Sequence, residues 1–210
     1  MELLSQLSAQ RLALADQLER LTADQWATPS LAAGWTVRHV VAHVVMPFRY
    51  SKAKIASKYL LNGCDFNRMA DQIARADSTL STAQLTETLR CNADNPFTPP
   101  GAGLEAPLTD LVMHTLDISR PLGIHVGRSA DTSRVVLDSL TTTQSLKFFG
   151  VDLTDIRLNA TDIDWTSGVG RDVFASSDDL ILILGGRQVA ATSLSGVTAT
   201  NLANRIAARS

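Results

Sequence analysis

Leu4, Leu7, Leu14, Leu18 and Leu21 recur at spacings of three, four and seven, the period at which side chains share one face of a helix. This predicts an amphipathic first helix. Arg11 interrupts the stripe and is expected to run its stem along the apolar face and hold its head in water. Trp26 and Pro29 end the segment. Gly34 then breaks the chain, Thr36 suits an N-cap, and an apolar-rich run follows. One helix is expected over 36–61, kinked at Pro47 and stopped by Asn62 and Gly63. Helices are also expected over 66–76 and 81–92. The stretch 95–103 holds Pro96, Pro99, Pro100, Gly101 and Gly103 and reads as a loop. Pro107 and Thr109 open the next helix, which stops at Pro121, Leu122 and Gly123. A further helix is expected over 132–148, closed by Gly150.

After Gly150 the pattern changes. The run 156–165 alternates and is rich in strand formers and turn residues, so it reads as a strand or hairpin. Gly168, Val169 and Gly170 make a turn, and Val173 to Ala175 a short strand. The apolar run 180–184 fits a strand or a buried helix by period alone. Ser176, Ser177, Asp178 and Asp179 before it and Gly185 and Gly186 behind it are helix-cap signals, which favours a helix. A last helix is expected over 198–209. The class is therefore α+β, with a helical bundle over 1–150 and a small α/β domain over 151–210.

The composition excludes several roles. In 210 residues, 45% are apolar and 19% charged, ordinary values for a globular protein. The net charge of −2, without a Lys/Arg run, argues against a nucleic-acid partner. No apolar run approaches a membrane span, so no membrane partner is expected. The opening residues Met-Glu-Leu-Leu-Ser-Gln lack a basic and apolar leader pattern, which points to the cytoplasm. Cys64 and Cys91 are too few for a disulfide framework or a zinc knuckle. Nothing in the pattern decides between a monomer and a homodimer.

The candidate chemistry lies in Asp110 and His114. Four residues apart on a helix, they stand about 40° apart around the axis and about 6 Å along it. A carboxylate and an imidazole so placed can grip one divalent cation. His43, in an upstream helix, would complete three ligands with a position left open. The plainer alternatives are a histidine satisfied in the core and a hydrogen bond on the helix surface, and spacing alone leaves these open. His39 shares a face with His43. Three residues after Thr36 it is expected to cap poorly and face solvent. His125 has no clear partner. Asp117 could orient the His114 ring, but the expectation is an exposed charge paired with Arg120. There is no Gly-x-Ser-x-Gly elbow, no Walker loop and no dinucleotide fingerprint.

The segment from Gly34 to His43, Gly-Trp-Thr-Val-Arg-His-Val-Val-Ala-His, resembles a signature of the mycothiol-dependent maleylpyruvate isomerase family, a branch of the DinB superfamily. So does the segment from His114 to Gly123, His-Thr-Leu-Asp-Ile-Ser-Arg-Pro-Leu-Gly. Asp162 to Trp165, Gly185 to Arg187 and Leu194 to Gly196 resemble the small domain that often follows. The resemblance implies a DinB-like four-helix bundle with His43, Asp110 and His114 as metal ligands. Asp110 stands where the family usually carries glutamate, one methylene longer, so the helix must approach more closely or a water must intervene. His39 stands where aspartate is common. Arg187 matches an arginine the family implicates in catalysis. The resemblance further implies a divalent metal, zinc, and mycothiol as thiol cosubstrate. The expected activity is isomerisation of, or sulfur transfer to, a small electrophilic acid. A non-catalytic metal- or thiol-binding module and a metal-dependent hydrolase are the alternatives.

Overall fold

The computed structural model describes residues 2–207. Among these are twelve α-helices and one three-stranded sheet that falls late in the chain, so the class is α+β. The chain divides into two compact units, Met1–Gly127 and Arg128–Ser210. No helix among the described residues is long and apolar enough to cross a membrane.

The first unit holds α1 (Leu3–Leu18), α2 (Ala23–Ala27), α3 (Val37–Val44), α4 (Met46–Arg49), α5 (Lys52–Leu61), α6 (Phe66–Asp77), α7 (Thr82–Cys91) and α8 (Glu105–Leu122). Leu7, Leu14 and Leu18 bury the predicted stripe of α1 against α7 and α8. Helix α3 packs on α6, α7 and α8 and buries Val37, Val40 and Val41 there. Arg11 departs from expectation. It is buried, and its guanidinium donates to the carbonyls of Asn92, Ala93 and Asn95 at 3.1, 2.9 and 2.7 Å. The end of α7 leaves carbonyls without helical partners, and these draw the side chain inward. Burial pushes its pKa down to about 10, against the pull of Asp94.

The helix expected over 36–61 is three helices. Pro47 sits in the first turn of α4, where its missing N–H is not needed. Tyr50 is extended, and Ser51 Oγ accepts from the Lys54 N–H to start α5 afresh. Helix α8 begins at Glu105, ahead of Pro107, and ends on Gly123 at φ +63°, a left-handed conformation that suits glycine. Pro121 lies in its last turn and cannot donate to the carbonyl of Asp117. The Leu31 N–H takes that acceptor at 3.1 Å. A proline in α8 thereby ties down the loop that carries Trp35.

The second unit opens with α9 (Ala130–Leu140) and α10 (Thr143–Phe149), both upstream of position 150. The single helix expected over 132–148 is broken between them because Thr142 caps α10, its Oγ1 accepting from the Ser145 N–H. Strands β1 (Ile156–Ala160), β2 (Thr166–Gly168) and β3 (Arg171–Ala175) lie in the order β2-β1-β3. β1 is antiparallel to β2 and parallel to β3, with Leu158 opposite Ser167 and Val173. Gly170, at φ +143°, has no room for a Cβ, which would meet the backbone of Asp155. Helix α11 (Ser177–Leu184) settles the ambiguous apolar run as a helix. Ser176 Oγ accepts from the Asp179 N–H, and Leu180 to Leu184 are buried where α11 packs on α9. The last helix, α12, spans Ala199–Ala207, and Arg209, where it was expected to end, lies outside the described residues.

Candidate metal centre

Two helices build the site. Helix α8 places Asp110 and His114 one turn apart on one face, and α3 packs against it with His43 in its own last turn. His43 and His114 are 5% and 6% exposed, whereas the Asp110 side chain keeps 48% of its surface open. Asp110 Oδ1 lies 3.5 Å from His114 Nε2 and 3.7 Å from His43 Nε2. The imidazole centroids are 4.8 Å apart, with the ring planes at 74°. One ligand atom from each of the three residues falls within 4.8 Å of the others.

These spacings leave room for an ion between the three groups. At 3.5 and 3.7 Å the contacts to Asp110 are long for hydrogen bonds. Ligand atoms around a tetrahedral zinc stand about 3.4 Å from one another. Two imidazole nitrogens and a carboxylate oxygen are also the donor types zinc accepts. The shorter acid at position 110 therefore brings its oxygen into the same space as both rings.

Asp117 overturns the expectation of an exposed charge. It is fully buried, and His114 Nδ1 lies 2.8 Å from its Oδ2. An Nδ1–H donated to this carboxylate leaves the Nε2 lone pair aimed at the site, the usual arrangement for a metal-binding histidine. His39 also departs from expectation. It is half-buried, and its Nδ1 accepts from the Thr36 N–H at 3.2 Å and lies 2.8 Å from Thr36 Oγ1. The ring does the work of the glutamine or glutamate of a capping box. Burial, with Arg75 nearby, holds its pKa down and keeps that nitrogen free to accept. His125 is exposed beyond the end of α8 and takes no part in the cluster. Arg187 lies in the second unit, just after α11, where its guanidinium donates to the carbonyl of Gly185 at 2.7 Å.

Charge is shared unevenly in the metal-free site. Burial alone would lower the His114 pKa, but Asp110 and Asp117 outweigh it and push it up to about 9. Partial burial would raise the Asp110 pKa, yet His114 and His43 hold the carboxyl well below the usual range. A cation taken up between these residues would displace a proton held on His114.

Sequence reasoning missed Trp35 and Asp71. The Trp35 indole lies against both imidazoles, its centroid 5.2 Å from that of His43 and 6.3 Å from that of His114. The signal was present in the Gly-Trp-Thr run, where the glycine turn and the Thr36 cap fix the tryptophan two residues ahead of α3.

The fold is that of a helical domain joined to a small α/β unit, and the comparisons agree with that fold. Residues 7–95 match the family profile described as the Mycothiol maleylpyruvate isomerase N-terminal domain. This is the family whose signatures the sequence resembles, and the matched segment contains His43. The chain also shares its fold with a crystal structure of the mycothiol-dependent maleylpyruvate isomerase. The TM-score is 0.56 at 16% identity, over 95% of this chain and 94% of that one. A histidine-to-alanine mutant of that enzyme gives 0.54 at the same identity and coverage. At that identity the likeness establishes the fold. No protein of curated function matches the chain.

Proposed function

We propose that this chain is a metal-dependent enzyme that uses a low-molecular-weight thiol, mycothiol, to isomerise or add sulfur to a small electrophilic acid. The observation that carries this reading is the convergence of His43, Asp110 and His114 from two helices. These three residues would hold a divalent ion, zinc, which would favour the thiolate form of a bound thiol at neutral pH.

The chain's own groups have separable tasks. Asp117 holds the His114 ring and its tautomer. The open edge of Asp110 leaves the site accessible from one side. Arg187 is proposed to bind the substrate carboxylate with its paired N–H donors and to offset the charge of an enolate. In an isomerisation, thiolate sulfur bonds to one alkene carbon and the electron pair moves into the adjoining carbonyl. The former double bond rotates, and expulsion of the thiolate restores the alkene. In a transfer, a proton is added at carbon and the C–S bond stays.

The test is turnover of a cis-unsaturated keto acid by zinc-loaded protein, with and without mycothiol. The expected result is conversion that requires the thiol. Unchanged total thiol marks the isomerase, and stoichiometric loss of thiol marks the transferase. Release of hydrolysis products at equal rate without thiol would make the chain a hydrolase. Thiol binding without turnover would make it a binding module.

A further inference from the structure

The two imidazoles of the centre are held by different means. His114 has the buried carboxylate of Asp117 as partner for its Nδ1. His43 Nδ1 is buried and has no hydrogen-bond partner among the described residues. The outer torsion of a histidine side chain is broad and roughly two-fold, so a ring without such a partner needs another restraint. Rings supply it. The Trp35 indole lies 5.2 Å from His43 at an interplanar angle of 47°, and Phe66 meets the same ring edge-on at 6.5 Å.

The indole is itself anchored at both ends. Its Nε1–H donates to Asp71 Oδ1 at 2.8 Å. Asp71 is gripped in turn by Arg75, one turn along α6, whose Nε lies 2.9 and 3.0 Å from the two carboxylate oxygens. On the backbone side, the Ser30 N–H and Oγ both donate to the Trp35 carbonyl, at 2.9 and 2.8 Å. Gly34, at φ +77°, makes the turn that presents the indole to α6. Because α6 packs directly on α3, the clamp and the histidine it restrains share one helix interface.

We propose that Asp71 is a positioning residue of the centre: clamped by Arg75, it holds the Trp35 indole against His43 and so fixes the imidazole that no hydrogen bond orients. This rests on the proposed role of His43 as a ligand. A ligand set works only when its rings are held within narrow angular limits by the groups around them, and on the His43 side those groups are aromatic.

The experiment follows the ring C–H resonances of His43 and His114 in metal-free protein, and then zinc affinity by chelator competition. Asp71→Ala is expected to shift the His43 ring signals, because the ring current of the indole moves, and to weaken zinc binding by about 10-fold. Asp71→Asn keeps an oxygen for the indole N–H but loses the charge that Arg75 grips, and both readouts are expected to fall between wild type and Asp71→Ala. Arg75→Met, at the exposed end of the clamp, is expected to give a smaller shift in the same direction and covers the case in which Asp71→Ala fails to fold. In a Trp35→Phe background, Asp71→Ala is expected to add nothing further. Unchanged His43 signals in Asp71→Ala and Arg75→Met would overturn the proposal, as would an equal loss of zinc affinity from Asp71→Ala in the Trp35→Phe background. If the ring signals shift but wild-type protein takes up no zinc, the functional reading fails and the positioning stands.

Discussion

Replacing His114 with alanine is expected to abolish stable metal uptake. On the proposed reading the residue supplies one of three ligand atoms, and it lies beside both Asp110 and His43. Loss of a partner that merely orients a ligand weakens a site by about 10- to 100-fold, and loss of the ligand itself should exceed that. Metal content after dialysis against excess zinc gives the check, with wild type retaining one ion and His114→Ala retaining none. The same variant has a signature without metal. Native His114 keeps its proton up to about 9, whereas a free histidine releases it near 6.5. Its contribution to stability is therefore fully present below about 6.5 and is lost as pH rises through about 9. Thermal unfolding of metal-stripped wild type should weaken across that window, and His114→Ala should lack this part of the slope. A stripped wild type whose stability is flat from pH 6.5 to 9 would contradict the charge arrangement around His114.

The second large effect is expected at Asp117. Its carboxylate is fully buried and pairs with His114 Nδ1 at 2.8 Å. Asp117→Ala removes the partner that sets the ring's tautomer, and zinc affinity should fall by about 10- to 100-fold. Asp117→Asn retains an oxygen that can accept from Nδ1, so the ring keeps its aim but loses the charge behind it. Its affinity should fall between wild type and alanine. Chelator competition measures the series, and an alanine variant that binds zinc as tightly as wild type would show that Asp117 does not act through His114.

The site was more legible in the sequence than its supports. The period of α8 put Asp110 and His114 on one face, His43 stood in an upstream helix as a third candidate, and the family signatures strengthened the set. Spacing along one helix says nothing of what lies across it. Asp117 therefore read as a surface charge, although it sits on the buried side of α8. His39 read as a poor cap, because a neutral imidazole nitrogen accepting a backbone N–H depends on burial that sequence does not show. Arg11 was misread for the same reason: the carbonyls that draw it inward lie in the turn after α7, some eighty residues away. The helix breaks near residues 50 and 141 were missed because the apolar period runs on through both, while Ser51 and Thr142 restart the backbone locally. The late change to sheet and the cap signals around α11 were legible, since Gly, Ser and Asp mark chain turns wherever the fold places them.

The most direct measurement is a titration of cobalt-substituted protein with mycothiol, followed in the near-ultraviolet. If His43, Asp110 and His114 hold an ion that receives the thiol, a thiolate-to-cobalt charge-transfer band should grow and saturate at one thiol per protein, and it should be absent from His114→Ala. A spectrum that thiol leaves unchanged, or a band of equal strength in His114→Ala, would contradict the site.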